Sequence, residues 1–566
     1  MKHILKKLKE QFSNYNLDGY IVPKNDEFFS EYSAKDRLKK ITNFSGSAGF
    51  AVVLKQSNYL FVDSRYTLQA KIESGNNFKV LGYEKLLNCK VFKNLVIGLD
   101  PTLFTKKQIK KIFTKNKVKL IKENLIDNFH KFRYLNNKPF YSLDKKIVGE
   151  DYKNKIKKIV KYLKTKGLDH IFITAPENVA WILNIRGYDN PTSPIPNSYL
   201  LISKDYKKYI IAKKNKLKKL ITEKKIKQSE IIEPKDIDYF LNTLKGKSIS
   251  IDSKTCSIYF EQILNKKLKI FKSDDPTYLL KSIKNKTEVN NMIKAHINDG
   301  IALTKFLYWI KEINKKKISE IDAQNKLEAF RKKNKDYLFP SFNTIAGTGK
   351  NAAIVHYRAT NNNTKIINKK DIFLCDSGGQ YSYGTTDVTR TICFSKQKKN
   401  IKKIFTQILK GHIAVARTNL NKINVGKEID KRARKFLNED GLDYGHGTGH
   451  GVGHFLNVHE GPQAISKYNN IKIKEGMILS NEPGYYLKNN YGIRIENLIY
   501  VKKIKNELKF RNLTLAPIDK SLIDKKILNN KEINWINSYH RLIFKKFYRY
   551  MNGNQKKDLI NACSEL

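Results

Sequence analysis

Two carboxylates at the ends of apolar runs are the first residues in this chain whose placement asks for chemistry. Asp371-Ile-Phe-Leu-Cys-Asp-Ser-Gly-Gly379 reads as a buried strand running into Asp376 and two glycines, and Gly384-Thr-Thr-Asp-Val-Thr-Arg-Thr-Ile392 sets Asp387 at the head of a β-branched strand. An acid at the end of an apolar run is costly unless it is paired or metal-bound. Strand, Gly-rich turn and strand predict a hairpin across which Asp376 and Asp387 face each other. Taken alone, such a pair more often serves turn chemistry than ligation. The segment Gly445-His-Gly-Thr-Gly-His-Gly-Val-Gly-His-Phe-Leu-Asn-Val-His-Glu460 shifts the balance. Its glycines leave little to pack, so the backbone is expected to approach something closely, and His446, His450, His454 and His459 are four of only 11 histidines in the chain. A flexible loop with incidental surface histidines would not concentrate the scarcest residues in this way.

Two more acids complete the set. Gly476-Met-Ile-Leu-Ser-Asn-Glu-Pro-Gly484 puts Glu482 at the end of an apolar strand before a Pro-Gly turn, and Gly492-Ile-Arg-Ile-Glu-Asn-Leu-Ile-Tyr500 embeds Glu496 in a strand. Four carboxylates and one imidazole are mostly oxygen donors, which suit hard divalent ions such as Mn²⁺ better than an all-sulfur zinc site would. Around a single ion they leave excess negative charge. Two ions about 3.5–4 Å apart, sharing bridging carboxylates and holding a hydroxide between them, are the simpler expectation.

The elements that must position these residues are those of a large globular protein. At 566 residues the chain has room for about three domains, and 40% hydrophobic with 11% aromatic residues excludes both a multi-span membrane protein and a disordered one. The balance of 109 Lys+Arg against 53 Asp+Glu, formally +56, raises nucleic acid as a partner. The lysines are spread along the whole chain, at Lys6 to Lys9, Lys106 to Lys111, Lys213 to Lys219, Lys315 to Lys317 and Lys398 to Lys403, and form no single patch. Dispersed charge of this kind reads as a solvated surface, so no specific nucleic-acid partner is expected.

The first ten residues alternate charge and apolar positions at helical spacing without the apolar core of a signal peptide, and no run approaches the about 18 apolar residues of a membrane span. Five widely separated cysteines without a CxxC indicate neither a disulfide framework nor a zinc ribbon, and fit a reducing cytoplasm. Strands are expected at Leu17–Pro23, Gly49–Lys55 and Tyr59–Asp63, and again at Asp169–Thr174, Tyr199–Ser203 and Tyr209–Ala212 after a Lys-rich helix ending at Lys166. Two similar α/β modules in series follow, although no strict sequence repeat supports them. Ser273-Asp-Asp-Pro-Thr277 marks a boundary, and a long helical pattern covers Glu288 to Ile310 before the chemistry begins.

These residues resemble the aminopeptidase P (Xaa-Pro aminopeptidase) family of pita-bread metallopeptidases in its long three-domain form. The likeness is close in His446-Gly-Thr-Gly-His-Gly-Val-Gly453 with Phe455-Leu-Asn-Val-His-Glu-Gly-Pro462, in Gly384-Thr-Thr-Asp-Val-Thr-Arg390, in Asn481-Glu-Pro-Gly-Tyr-Tyr486 and in Gly492-Ile-Arg-Ile-Glu-Asn497. Weaker likeness extends to Gly46-Ser-Ala-Gly49, Asp63-Ser-Arg-Tyr66, Ala295-His-Ile-Asn-Asp-Gly300 and Trp535-Ile-Asn-Ser-Tyr-His540. The resemblance implies a mixed α/β and α+β protein: two creatinase-like α/β domains over residues 1–135 and 136–276, then a pita-bread catalytic domain with a helical extension over 277–566. It implies that Asp376, Asp387 and Glu496 bind one metal and Asp387, His450, Glu482 and Glu496 the other, with Mn²⁺ the usual ion. It implies substrate contacts at His356, His446 and His459, and at Arg65, where the family's Asp-Gly-Arg-Tyr reads Asp-Ser-Arg-Tyr. It further implies a cytoplasmic homodimer acting on peptides with proline at the second position.

Amide hydrolysis at neutral pH needs a better nucleophile than water, which a metal can supply. Glu482 is then the proton acceptor and His459 a donor to the tetrahedral oxyanion, with His356 beside them. A prolidase acting on dipeptides is the enzyme alternative, but its relatives carry one N-terminal domain rather than two. A methionine aminopeptidase needs only the C-terminal part. A non-catalytic pita-bread binding protein would have no reason to retain all five ligand-type residues.

Overall fold

The computed structural model describes residues 1–63, 66–87, 90–113, 117–132, 136–312 and 317–566. Short β-branched and aromatic runs, bounded by Gly, Pro or Asn, supply the strands of the N-terminal unit, Met1–Tyr278. Gly19–Pro23, Phe50–Leu54, Asn58–Val62, Lys79–Gly82, Val96–Leu99 and Lys117–Leu120 form one six-stranded sheet. His170–Ile173, Tyr199–Ser203, Lys208–Ile211, Ile231–Ile232, Ser248–Ile251 and Lys269–Lys272 form another. Numbered along the chain within each sheet, both have the spatial order fourth, third, second, first, fifth, sixth. The directions agree too: first with second and second with third are antiparallel, whereas third with fourth, first with fifth and fifth with sixth are parallel. The expectation of two serial α/β modules is thus met at the level of topology, where the sequences had shown no repeat.

Helix Tyr152–Lys166 illustrates how these modules are built. Asp151 caps its first turn, Gly167 ends it at φ 64°, and Ile156, Ile159, Val160 and Leu163 form its inward face. Lys155 shares that face: fully buried, its ammonium donates to Trp181 O at 3.1 Å and Asn184 Oδ1 at 2.8 Å and stands 4.0 Å from the Trp181 ring centroid.

The second unit, Leu279–Leu566, mixes helices with small antiparallel sheets. Its entry helix, Lys286–Lys311, is opened by a capping box between Asn285 and Glu288. Three sheets matter for the site. Ile372–Ser377 is the middle strand between Ile345–Thr348 and Val388–Cys393. Gly449–Gly451, Glu460–Ile465, Ile478–Asn481, Asn497–Ile504 and Glu507–Asn512 make a five-stranded sheet. Gly484–Leu487 and Tyr491–Arg494 form a two-stranded ribbon. Helix Lys399–Ala416 packs on the ribbon, and its Ile408 and Leu409 share one apolar cluster with Ile493 of the ribbon and with Ile536 and Phe547 of helix Asn530–Phe547.

Among the described residues no helix is long and apolar enough to cross a membrane. Cys256, Cys375, Cys393 and Cys563 are free thiols, and Cys89 lies outside the described residues.

Candidate metal centre

All five predicted ligand residues lie in or beside strands that bring them together. Ile372–Ser377 pairs with Val388–Cys393 so that Asp376 lies opposite Thr389 and Ser377 opposite Val388, which leaves Asp387 just beyond the ladder. The link between them is not the simple hairpin turn expected from the sequence. Gly379–Tyr381 and Gly384–Thr385 leave it as short strands of a separate sheet with Tyr337–Pro340, because Gly378 lets the chain turn where a Cβ would lie 2.0 Å from Thr386 O. Glu496, expected within a strand, sits in the two-residue break between Tyr491–Arg494 and Asn497–Ile504, where the chain crosses from the ribbon to the five-stranded sheet. Glu482 follows Ile478–Asn481 directly.

The glycine-rich segment does allow a close approach, but what approaches is the protein's own backbone. A Cβ on Gly449 would lie 2.0 Å from Ser480 O, and one on Gly451 would lie 2.4 Å from Glu460 O. Strand Gly449–Gly451 is thereby wedged between Glu460–Ile465 and Ile478–Asn481, and it carries His450 to the acids.

Ligand-type atoms of Asp387, His450 and Glu496 lie within 4.8 Å of one another. His450 Nε2 is 3.5 Å from Asp387 Oδ2 and 3.5 Å from Glu482 Oε1, while Nδ1 bonds to Gly451 O at 2.9 Å. That bond fixes which ring nitrogen is turned toward the carboxylates. Glu496 Oε2 accepts from Thr389 Oγ1 at 2.8 Å, and Glu482 Oε1 from Ser480 Oγ at 3.0 Å. Asp376 Oδ2 accepts from Arg494 Nη2 at 2.6 Å, but Asp376 Oδ1 is buried with no hydrogen-bond partner.

Burial pushes Asp376 up to about 7 with help from the charges of Asp387 and Glu482, against the pull of Arg494. Burial also raises Glu482, against the neighbouring charges of His450 and Arg494, and lifts Glu496 well above the carboxylate range, with Asp387 and Glu482 adding to it. For His450 burial acts the other way, yet its bond to Asp387 and the charges of Glu482 and Asp387 prevail and raise it to about 9. Four acids crowded in one largely buried site, one with an orphaned oxygen, are a donor set that hard divalent cations would satisfy.

The remaining predicted residues divide. His459 stands against His450 with ring centroids 4.4 Å apart and planes at 89°. His446 Nε2 lies 2.9 Å from Tyr486 Oη, and its Nδ1 is 3.9 Å from Glu482 Oε2. His356 is half-buried on the turn after Gly349–Asn351; Gly492 on the ribbon permits that turn, since a Cβ there would lie 1.9 Å from Ala352 O. Arg65 lies outside the described residues.

Arg494 and Tyr486 had no role in the sequence reading. Arg494 Nη1 donates to Tyr486 Oη at 2.5 Å and Nε to Thr389 Oγ1 at 3.0 Å, so one buried guanidinium ties Asp376, Thr389 and Tyr486 together, and through Tyr486 it reaches His446. The available signal was spacing: an arginine two residues before Glu496 in an extended segment shares its face.

Known proteins resemble this chain over nearly its whole length. The sequence pattern of metallopeptidase family M24 matches residues 290–503 and that of its C-terminal region 506–566; creatinase/prolidase N-terminal domain patterns match 4–125 and 133–288. A protein of Laccaria bicolor named "Probable Xaa-Pro aminopeptidase P" is 36% identical over 604 residues, covering 99% of this chain and 93% of that one. The crystal structure of X-prolyl aminopeptidase from Caenorhabditis elegans, described as a cytosolic enzyme with a di-nuclear active site, matches with a TM-score of 0.93 at 30% identity over 100% of this chain and 99% of that one. Prolidase from Pyrococcus horikoshii OT3 matches with a TM-score of 0.51 at 27% identity, over 99% of its own chain but 64% of this one.

Proposed function

The chain belongs to the Xaa-Pro aminopeptidase P family of the M24 metallopeptidases, and from that premise we propose that it removes the first residue from peptides whose second residue is proline. The observation that carries this reading is the convergence of Asp376, Asp387, His450, Glu482 and Glu496 on one buried, over-acidic site. Asp376, Asp387 and Glu496 would hold one divalent ion and Asp387, His450, Glu482 and Glu496 a second, both Mn²⁺. Such ions supply a water acidic enough to attack an amide at neutral pH and a Lewis acid for its carbonyl.

The chain's own residues do the rest. Glu482, a half-buried acid at the edge of the cluster, takes the proton from the attacking water. It returns that proton to the leaving nitrogen, which belongs to a tertiary amide and cannot depart unprotonated. His459 donates to the oxyanion that forms as the carbonyl becomes tetrahedral. His446, oriented by Tyr486, and His356 line the prolyl side. The carboxylate cluster holds the free α-amino group, which limits the enzyme to one residue per cycle. Residues 1–135 and 136–276 are the two α/β domains ahead of a catalytic domain over 277–566, and the protein works as a cytoplasmic homodimer. The doubled α/β module favours this reading over a prolidase, for which one module would be surplus.

Asp387→Ala tests the site. It removes the acid shared by both ions, and turnover of an Xaa-Pro peptide is expected to disappear while the far-UV circular dichroism spectrum is retained. An active variant would overturn the arrangement.

A further inference from the structure

The loop between Gly451 and Glu460 carries His459 and is held in one conformation from several sides. It contains a non-glycine residue at positive φ, Phe455 at 49°, which persists only where the surroundings impose it. Leu456 is tied at both backbone groups: its N–H donates to Thr385 Oγ1 at 3.3 Å, and its carbonyl accepts from Gln380 Nε2 at 2.9 Å.

The two ends of the loop's second half are clasped by one short stretch of chain. Glu460, next to His459, has a side chain 1% exposed; its Oε1 bonds to Lys284 Nζ and its Oε2 lies 3.4 Å from Lys281 Nζ, and those two lysine side chains are 1% and 2% exposed. His454 Nδ1 lies 3.7 Å from Glu288 Oε1, with side chains 3% and 5% exposed. Lys281 lies in the preceding short helix Pro276–Ser282, Lys284 in the entry to helix Lys286–Lys311 and Glu288 in that helix's first turn. That entry is itself anchored: Lys284 N donates to Gly476 O at 3.0 Å, and Ile283 bridges Met477, next to the strand that leads to Glu482.

Two ammonium groups and two carboxylates are therefore buried beside this loop. Buried charges of this sort are weak sources of net stability, but their directional bonds single out one geometry. We propose that Glu460, held by Lys281 and Lys284, is a positioning residue for His459: with the His454–Glu288 contact it fixes the loop on both sides of the imidazole, so that His459 meets the oxyanion without having to be ordered during the reaction. This rests on His459 being that donor.

Glu460→Gln keeps the side chain's shape and removes its charge. With the full-length Mn²⁺-loaded protein and Arg-Pro-Pro as substrate, it is expected to lower kcat about 10–100-fold at unchanged metal content, with a much smaller change in KM. In a His459→Ala background the same substitution is expected to cost less than about threefold, because the group it positions is already gone. Equal losses in both backgrounds, or none in the first, would overturn the proposal. Lys281→Met, which leaves Lys284 and Glu460 paired one to one, serves if Glu460→Gln does not fold; the same non-additivity supports the proposal, and independent losses overturn it. A wild-type protein that leaves Arg-Pro-Pro intact would instead overturn the functional reading itself.

Discussion

Arg494 donates to Asp376 Oδ2 at 2.6 Å and leaves Oδ1 of the same carboxylate buried with no hydrogen-bond partner. The guanidinium thus orients the acid without consuming the oxygen that a cation would use. Arg494→Met removes a fully buried counter-charge and two further bonds, to Tyr486 and Thr389. Metal affinity, measured by titration calorimetry, is expected to fall about 10–100-fold, as for other residues that orient a ligand. Unchanged affinity would show that Asp376 is held by the fold alone.

The crowded acids predict a pH dependence with a definite sign. Asp376 rises from its ordinary 3.8 to about 7 in the folded protein, so the metal-free state loses stability as pH rises through that window. His450, raised to about 9, loses its contribution in the same direction as pH rises further. Divalent ions bind the deprotonated groups and release these protons. The rise in Tm on adding Mn²⁺ is therefore expected to be small at pH 5.5 and large at pH 8. A rise independent of pH would contradict a site built from these groups.

Arg331 is fully buried, with Nε and Nη2 bonded to Asp299 at 2.7 and 3.0 Å and Nη2 also 3.0 Å from Ser377 Oγ, next to Asp376. Arg331→Met strands a buried carboxylate and is expected to cost about 3–5 kcal/mol, whereas Arg331→Met/Asp299→Leu recovers most of that loss. Chemical denaturation of the three proteins checks both numbers. If the double variant is the less stable, the pair contributes more than its own desolvation costs.

Much of this was legible in the residues. Apolar runs ending in Asp376 and Glu482 located two of the clustered acids, since burying an acid there demands compensation. Short apolar runs bounded by Gly or Pro found three of the six sheet strands of each α/β module to within two residues at their ends. What escaped was whatever depends on which strands meet. The common strand order of the two modules is invisible without the pairings, and Arg494 acquires its meaning only when the ribbon lies against the strand bearing Asp376. Charge counting also misleads locally: of the residues behind the net charge of +56, Lys155, Lys281 and Lys284 are buried, at 0%, 3% and 4% exposure, because each has an oxygen partner inside.

The most direct test of the account is a peptide panel offered to the purified, Mn²⁺-loaded protein: Arg-Pro-Pro, a free Xaa-Pro dipeptide and a Met-Ala peptide, with products followed by mass spectrometry. Release of arginine from Arg-Pro-Pro, with the Met-Ala peptide left intact, is the predicted result. Cleavage of the dipeptide alone would contradict it and identify a prolidase instead.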